Sequence, residues 1–577
     1  MMKNVCKKCA TAVTVLCLLA NGFGYASSAP AQAALSEQTP TATVAEETSS
    51  RAEFSDGELV NTYYQMDSAI RNQPTVVLDG VDEKTIAAAV QATEKPSNII
   101  LRFDGDGNIV AANGDVIGSF ENVWRTYLRN KCIPVLRIED EGAADKFIAL
   151  TEEFALLDMS VMSGDAALLK KIRTAATWVR GILRLENATD VAQAVATANK
   201  SYAATVMIDQ KDATLETVNY IQARFKSVWV NVDGYRAADV YYAINSGAFG
   251  IVSQYTEDVY ELFSAYESDS ITRTPYNVAH RGCPTVANEN SLSDVRYALE
   301  NGATHLELDA YLTTDGEVVM MHDSDISRTT NGEGRVESYS LAQLKEFDLD
   351  LFEPYEKIPT LNEVLDEIAD TDVVLVLEIK SAKTAIVQKV KELLETYGAT
   401  DNCVAITFDK NILAALRDAL PETPAAYLEN SSAVNVNTLS EFLQTLGEYN
   451  AVADKNYEQG TTSSFDRYLK DRGMAGWYWT FKDESALEIG KKLGFVGLTN
   501  NVAETWKDEV RFIKGGKAET FAIGDETELT LTTYAGEEKT VTGEIFYSKK
   551  TLGGYYLVSR YNANGVYLYT QTYFVNV

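Results

Sequence analysis

Residues 373–380 read VVLVLEIK. An apolar run of this length and β-branched content is a strand, and side chains two apart on a strand share a face. Glu378 and Lys380 therefore lie on one side, with Leu377 and Ile379 on the other. Two charged groups at the end of an otherwise apolar strand ask for an environment that gathers charge at strand ends. Working outward, similar runs recur with helical stretches between them. From 276 to about 505 they are YNVAH, THLELDAYL, GEVVMMH, VVLVLEIK, NCVAITF, AAYLE, AVADKN, GWYWTF and GFVGLTN. Nine runs serve eight strands if one pair is a strand followed by a local hairpin. Alternating β and α at this spacing predicts a closed parallel (β/α)8 barrel of the TIM type.

The same pattern fills residues 56–270. Its runs are TVVLDG (75–80), NIILRFD (98–104), IPVLRIE (133–139), DMSVMS (158–163), GILRLEN (181–187), AATVMID (203–209), SVWVNVD (227–233) and AFGIVSQ (248–254). The two halves also align in short segments. SGDAALLKKIR (163–173) matches TFDKNILAALR (407–417), with Asp165 over Asp409 and Arg173 over Arg417. Gly247 and Gly250 fall over Gly494 and Gly497, and VLRIE (135–139) over VLEIK (376–380). The reading is an internal duplication giving tandem barrels. Residues 511–577 alternate apolar and polar residues between turns, which predicts a small all-β module. Its tyrosines between 545 and 574 are expected as core and cross-strand pairs, with a carbohydrate-stacking face as the other reading.

At 577 residues the chain is too long for one core. Its net charge of −32 argues against nucleic acid as partner, because phosphate backbones would be repelled. Residues 1–33 carry lysines, then an apolar run, then small residues, and read as a cleaved signal peptide of a secreted protein, with an uncleaved N-terminal anchor as the alternative. Residues 34–55 read as a disordered linker. Cys132, Cys283 and Cys403 remain after the signal, an odd number that implies no disulfide framework.

Only three histidines occur, at 280, 305 and 322. YNVAHRG ends a strand in His280, and VVMMHD ends in His322. THLELDAYL puts Glu307 and Asp309 on one face, with His305 on the same face and one layer deeper, where packing or hydrogen bonding is its expected role. In a parallel barrel these positions converge at the C-terminal mouth. Three inward carboxylates, Glu307, Asp309 and Glu378, repel one another and call for a divalent cation, and an all-oxygen set favours Ca²⁺ or Mg²⁺. With Arg281 and Lys380 to neutralise a phosphate and two histidines as general acid and base, the set suits phosphodiester cleavage.

The ordered motifs HRG, ENS, LELDAYLTTDGEVVMMHD, IPTL and LEIK resemble the glycerophosphodiester phosphodiesterase family over about 275–505. The resemblance implies that His280 and His322 are the acid/base pair, that Glu307, Asp309 and Glu378 hold the metal, and that Arg281 and Lys380 lie against the phosphate; His322 is expected to protonate the leaving oxygen with His280 as base, although the sequence does not fix which does which. It implies hydrolysis of small glycerophosphodiesters to glycerol 3-phosphate and an alcohol. Lysophospholipids, cell-wall teichoic-acid polymers, and an inactive scaffold are the alternatives. Trp479 and Phe408 are placed at the mouth or in the barrel core, Trp479 as a substrate contact. Glu289 and Asn290 are expected to support His280 or the metal. The chain departs from the family in NENS (288–291) and in Asn500, where an Asp is common. The first barrel resembles a decayed copy: no histidine precedes His280, and Arg137 and Glu139 stand where the second barrel has Glu378 and Lys380. Substrate-end contact, dimerisation or barrel–barrel packing is what remains for it.

Overall fold

A computed structural model describes residues 59–62, 70–152, 158–232, 234, 236–461, 463–551 and 553–575. The signal and linker readings for 1–33 and 34–55 fall outside the described residues. Eight parallel strands close the first barrel: β1 (Thr75–Asp79), β2 (Asn98–Phe103), β3 (Ile133–Arg137), β4 (Ser160–Ser163), β5 (Arg180–Arg184), β6 (Ala203–Asp209), β7 (Ser227–Asn231) and β8 (Gly250–Ser253), with β1 paired to both β8 and β2. The second closes in the same order: β9 (Tyr276–His280), β10 (His305–Leu312), β11 (Val374–Ile379), β12 (Cys403–Thr407), β13 (Ala425–Glu429), β14 (Ala451–Asn456), β15 (Gly476–Phe481) and β16 (Gly497–Asn500). The surplus run, Val318–Met320, is the expected hairpin partner, antiparallel to β10.

Local chemistry repeats between the barrels. Several helices start on an aspartate whose carboxylate accepts from the first-turn amides, among them Asp82, Asp140, Asp165 and Asp190 in the first barrel and Asp409 and Asp483 in the second. Gly250 and Gly497 open the last strand of each barrel, and each lies under an indole. A Cβ on Gly250 would stand 2.5 Å from Trp229, and one on Gly497 1.9 Å from Trp477. The duplication read from spacing is thus also a duplication of packing.

The barrels meet through the N-terminal ends of their strands. Thr75 at the start of β1 donates to Asp471 Oδ1 (2.8 Å), and Asn98 at the start of β2 donates to the Asp471 carbonyl (2.6 Å). Thr205 and Ser227 both donate to the Gly473 carbonyl, at 2.7 and 2.5 Å. From the other side, His305 Nε2 donates to the Ala223 carbonyl (2.9 Å). Burial pushes that imidazole down to about 3, so it stays neutral and structural. Val77, Ile100, Val135 and Met162 of the first interior join Val278, Val376, Ile406 and Trp477 of the second in one apolar cluster. Their C-terminal mouths therefore face opposite ways. Among the described residues the first barrel packs on the end of the second away from its C-terminal mouth.

Strands Val510–Gly515, Glu526–Thr533, Glu538–Thr551, Gly554–Ala563 and Val566–Val575 form an antiparallel meander, and Ser270–Ile271 adds a sixth strand parallel to the last. Tyr241 and Tyr266 of the first barrel pack on Phe546, Tyr547 and Tyr569, with ring centroids 4.6–5.6 Å apart. Among the late tyrosines Tyr569 is buried, Tyr547, Tyr556, Tyr561 and Tyr567 pack half-buried against apolar clusters, and Tyr573 is exposed. Cys132, Cys283 and Cys403 are buried and free.

Candidate active site

Strand alternation brings the second mouth together. Val278 and Val376 point into the barrel, so His280 and Glu378, two residues on, do the same. Asp309 sits opposite Glu378 in the β10–β11 register, and Glu307 opposite His280 in the β9–β10 register. The carboxylates of Glu307, Asp309 and Glu378 are buried, and each offers an oxygen within 4.8 Å of the others. Glu307 Oε1, Asp309 Oδ1 and Glu378 Oε1 are among the buried oxygens that receive no hydrogen bond. Lys380 Nζ stands 2.8 Å from Glu378 and 3.3 Å from Asp309 as an ion-pair contact.

The charges do not balance. Burial, and then repulsion from Asp309 and Glu378, pushes the Glu307 carboxyl well above the ordinary range. Burial and Asp309 push Glu378 up to about 7. Asp309 is held low despite its burial, because Lys380, His322 and Arg281 face it. Two cationic side chains are thus too few for three carboxylates. Three buried carboxylates in a tight group, with Glu307 Oε1 unpartnered and one ammonium shared by Glu378 and Asp309, are a hard-oxygen donor set that fits a divalent cation.

Around this group the loops supply orientation. Arg281 has φ +55° and Gly282 φ +97°, and a Cβ on Gly282 would lie 2.4 Å from the Asp294 carboxylate. This turn is why His-Arg-Gly appears as a unit: it aims the Arg281 amide at Glu307 Oε2 (3.0 Å) and its guanidinium at Glu289 (3.1 Å). Glu289 also takes Arg328 at 2.5 and 3.0 Å. Asn290 clamps Asp309 from both sides, donating to Oδ2 and accepting from the backbone amide, each at 2.9 Å. Asn290 therefore supports a carboxylate of the triad, and Glu289 supports Arg281 rather than His280.

His280 Nδ1 donates to Asn501 Oδ1 (2.6 Å), which leaves Nε2 with its lone pair toward the mouth, 3.9 Å from Glu307. Burial, with the Arg281 charge added, pushes His280 down to about 4. His322 Nδ1 bonds Asp323 (2.6 Å), which is held in turn by Arg328. Burial lowers His322 as well, against the pull of Asp309 and Asp323. A cavity of about 210 Å³ joins these groups to Ile406, Phe408, Leu428, Asp454 and Trp479. Trp479 and Phe408 meet edge to face at 5.6 Å, so both line the mouth rather than filling the core.

Asn501, Asp323, Arg328 and Asp454 are residues the sequence reading did not single out. Asp454 is buried on β14, its Oδ1 lacks a partner, and burial pushes its carboxyl up to about 8. Its signal was present in AVADKN, since it lies two residues beyond inward-facing Val452. Asn500 proves to be a clasp: its amide donates to Asn277, Val278 and Leu498 at 2.9–3.3 Å, bonds that an aspartate cannot donate.

Residues 280–505 match the model of the glycerophosphoryl diester phosphodiesterase family. A glycerophosphodiester phosphodiesterase of Caldanaerobacter subterraneus subsp. tengcongensis is 34% identical over 246 residues, 41% of this chain and 98% of that protein. One of Bacillus subtilis (strain 168) is 27% identical over 245 residues, 39% of this chain and 82% of that protein. Among solved structures, an Oleispira antarctica phosphodiesterase in complex with the product sn-glycerol-3-phosphate is 24% identical, covering 40% of this chain and 94% of its own at a TM-score of 0.37. The first of these relatives is matched along nearly its whole length by the barrel that holds the paired histidines and the acidic triad, and the chain belongs to the glycerophosphoryl diester phosphodiesterase family.

Proposed function

We propose that the second barrel hydrolyses glycerophosphodiesters to glycerol 3-phosphate and an alcohol with His280 as general base, His322 as general acid, and Glu307, Asp309 and Glu378 as ligands of a divalent cation, Ca²⁺ or Mg²⁺. A bound cation would draw charge from the phosphate oxygens as a Lewis acid. Arg281 and Lys380 lie beside the same carboxylates and are placed to hold the remaining phosphate charge. His280 suits the base role, because its low affinity for protons keeps Nε2 free and Asn501 fixes the tautomer. It takes the proton of an attacking water as the new P–O bond forms; where the neighbouring glycerol hydroxyl attacks instead, the product is a cyclic phosphate, which water then opens to glycerol 3-phosphate with the roles of the two histidines exchanged. His322 carries Asp323 on Nδ1, which favours its charged form, and delivers a proton to the departing alcohol oxygen as the old P–O bond breaks. Trp479 and Phe408 offer an apolar wall to the substrate's carbon chain.

The observation that carries this reading is the triad of buried carboxylates, more negative groups than Lys380 and Arg281 can neutralise, between two imidazoles. Hydrolysis of glycerophosphocholine, followed as glycerol 3-phosphate released before and after chelation and with Ca²⁺ or Mg²⁺ restored, tests it. Activity that survives chelation refutes the cation, and no turnover of any glycerophosphodiester refutes the reading as a whole. Residues 1–33 lead us to propose export as well, which N-terminal sequencing of the protein recovered from the medium checks.

A further inference from the structure

The first barrel repeats the second with its charges exchanged. Arg102 and Arg137 occupy facing positions in the β2–β3 register, the place that Asp309 and Glu378 hold in β10–β11. Ile100, Val135 and Ile182 point inward, so Arg102, Arg137 and Arg184, each two residues further on, converge on the same mouth. All three are partly accessible there, the Arg137 and Arg184 side chains at 33% and 18%. Asp79 and Asp209, each two residues beyond inward-facing Val77 and Met207, face the same mouth, so the arginines stand among carboxylates there.

Their partners are uneven. Arg137 pairs with Glu139, and Arg184 with Asp209 at 2.5 Å, where Asn231 also donates. The Arg102 side chain makes no hydrogen bond or ion pair among the described residues. Like charges directly opposite on adjacent strands are destabilising. Here one member of the pair lacks a counter-charge from the protein.

We propose that the mouth of the first barrel binds a phosphate ester without a metal, with the Arg102 and Arg137 guanidinium groups on its oxygens and Arg184 beside them. Guanidinium forks match phosphate oxygens two at a time and need no cation as intermediary. In the second mouth, on the reading proposed above, a carboxylate-held cation takes those oxygens. In the first, arginines stand at the equivalent positions and take them directly. No histidine precedes His280, so the bound ester is held and not hydrolysed. Preference for phosphate over carboxylate rests on the proposed function of the second barrel, while an anion site as such rests on the arginines alone.

Calorimetric titration of the full chain with glycerol 3-phosphate in the presence of chelator tests this. The expectation is one ester per chain, weakened about tenfold in Arg102→Gln and unchanged in Lys380→Gln. Arg102→Lys, which keeps the charge and loses the fork, falls between. Hydrolysis of glycerophosphocholine with cation restored stays at the parent level in Arg102→Gln. That measurement reports folding of the variant and judges the second barrel separately from the first. Repeating the titration with glycerophosphoglycerol tells a monoester product from a diester chain as the source of the phosphate. The proposal is overturned if Arg102→Gln binds as the parent does, if the loss follows Lys380→Gln instead, or if no binding is seen up to about 10 mM ester.

Discussion

Asp158→Asn should destabilise both barrels together. Asp158 lies just before β4, and Arg472 just before β15 of the other barrel. Arg472 donates to it through Nε (3.2 Å) and Nη2 (2.5 Å), the Val60 amide adds a third bond (2.9 Å), and Arg180 Nη2 stands 2.8 Å away. Exposure is 0% for Arg472, 2% for Asp158 and 10% for Arg180. The amide keeps the shape and removes the charge, leaving two guanidinium groups out of water with no counter-ion. Uncompensated buried charge of this kind costs about 3–5 kcal/mol, a large share of the roughly 5–15 kcal/mol that holds a domain folded. Equilibrium urea unfolding at pH 7, followed by tryptophan fluorescence and circular dichroism, measures it.

The pH dependence has a definite sign. Burial pushes the Asp158 carboxyl up, but Arg472 and Arg180 outweigh it and hold the group below the ordinary carboxylate range. Its contribution is therefore complete above the unfolded-state value and is lost as pH falls through the lower folded one. The gap between parent and variant should close below about pH 4. A cost under about 1 kcal/mol at pH 7 would falsify the claim that this pair is a buried, unscreened contact. Two separate unfolding transitions, with hydrolysis surviving the first, would show that the barrels do not share one core.

Three further outcomes are expected. Glu378→Gln should lower kcat/KM at least about a hundredfold by removing a ligand charge, while raising the melting temperature in chelator, because crowding among the carboxylates is relieved; a cation response equal to the parent's would count against the triad. His280→Ala and His322→Ala should each cost about 10²–10⁴ in kcat, and the double variant far less than the product of the two. Steady-state kinetics that found either variant near the parent rate would remove that residue from the mechanism. Gly497→Ala should cost about 1–3 kcal/mol in thermal or urea unfolding, because its Cβ would fall 1.9 Å from Trp477 and displace an indole stacked on Tyr276.

What the sequence disclosed is what depends on neighbours along one strand. Glu307 with Asp309, and Glu378 with Lys380, follow from a period of two. The eight runs of each barrel follow from β-rich segments alternating with helical stretches. Residues whose meaning depends on a distant loop were illegible: Asn501 reaches His280 across 221 positions, and Arg328 reaches Glu289 across 39. The stacking of the barrels left a trace that alternation alone could not decode. Asn98, Thr205 and His305 are polar residues at or near strand starts, and such groups need partners when buried. Nothing in one strand says that the partner is a second barrel. Ser270–Ile271, only two residues long, is too short to carry a strand pattern at all.

The end-to-end arrangement explains how one duplicated sequence can hold opposite charges at its two mouths. Apolar layers and the bonds at the strand starts fix each barrel at its N-terminal end, where both copies are buried in the same interface. In the C-terminal mouth of the first barrel Arg102, Arg137 and Arg184 are partly open to water, so their charges are screened and contribute little to holding that barrel closed. Exchanging Asp309 and Glu378 for Arg102 and Arg137 therefore changes what a mouth attracts without disturbing what closes the barrel. Asp158 and Arg472 lie in the interface, where charge is not screened, and the same exchange there would leave like charges buried against each other. Charge reversal is thus compatible with this fold at the mouths and not between the barrels. The relative cost of Arg102→Gln and Asp158→Asn in one urea titration measures that division: near zero for the first, several kcal/mol for the second.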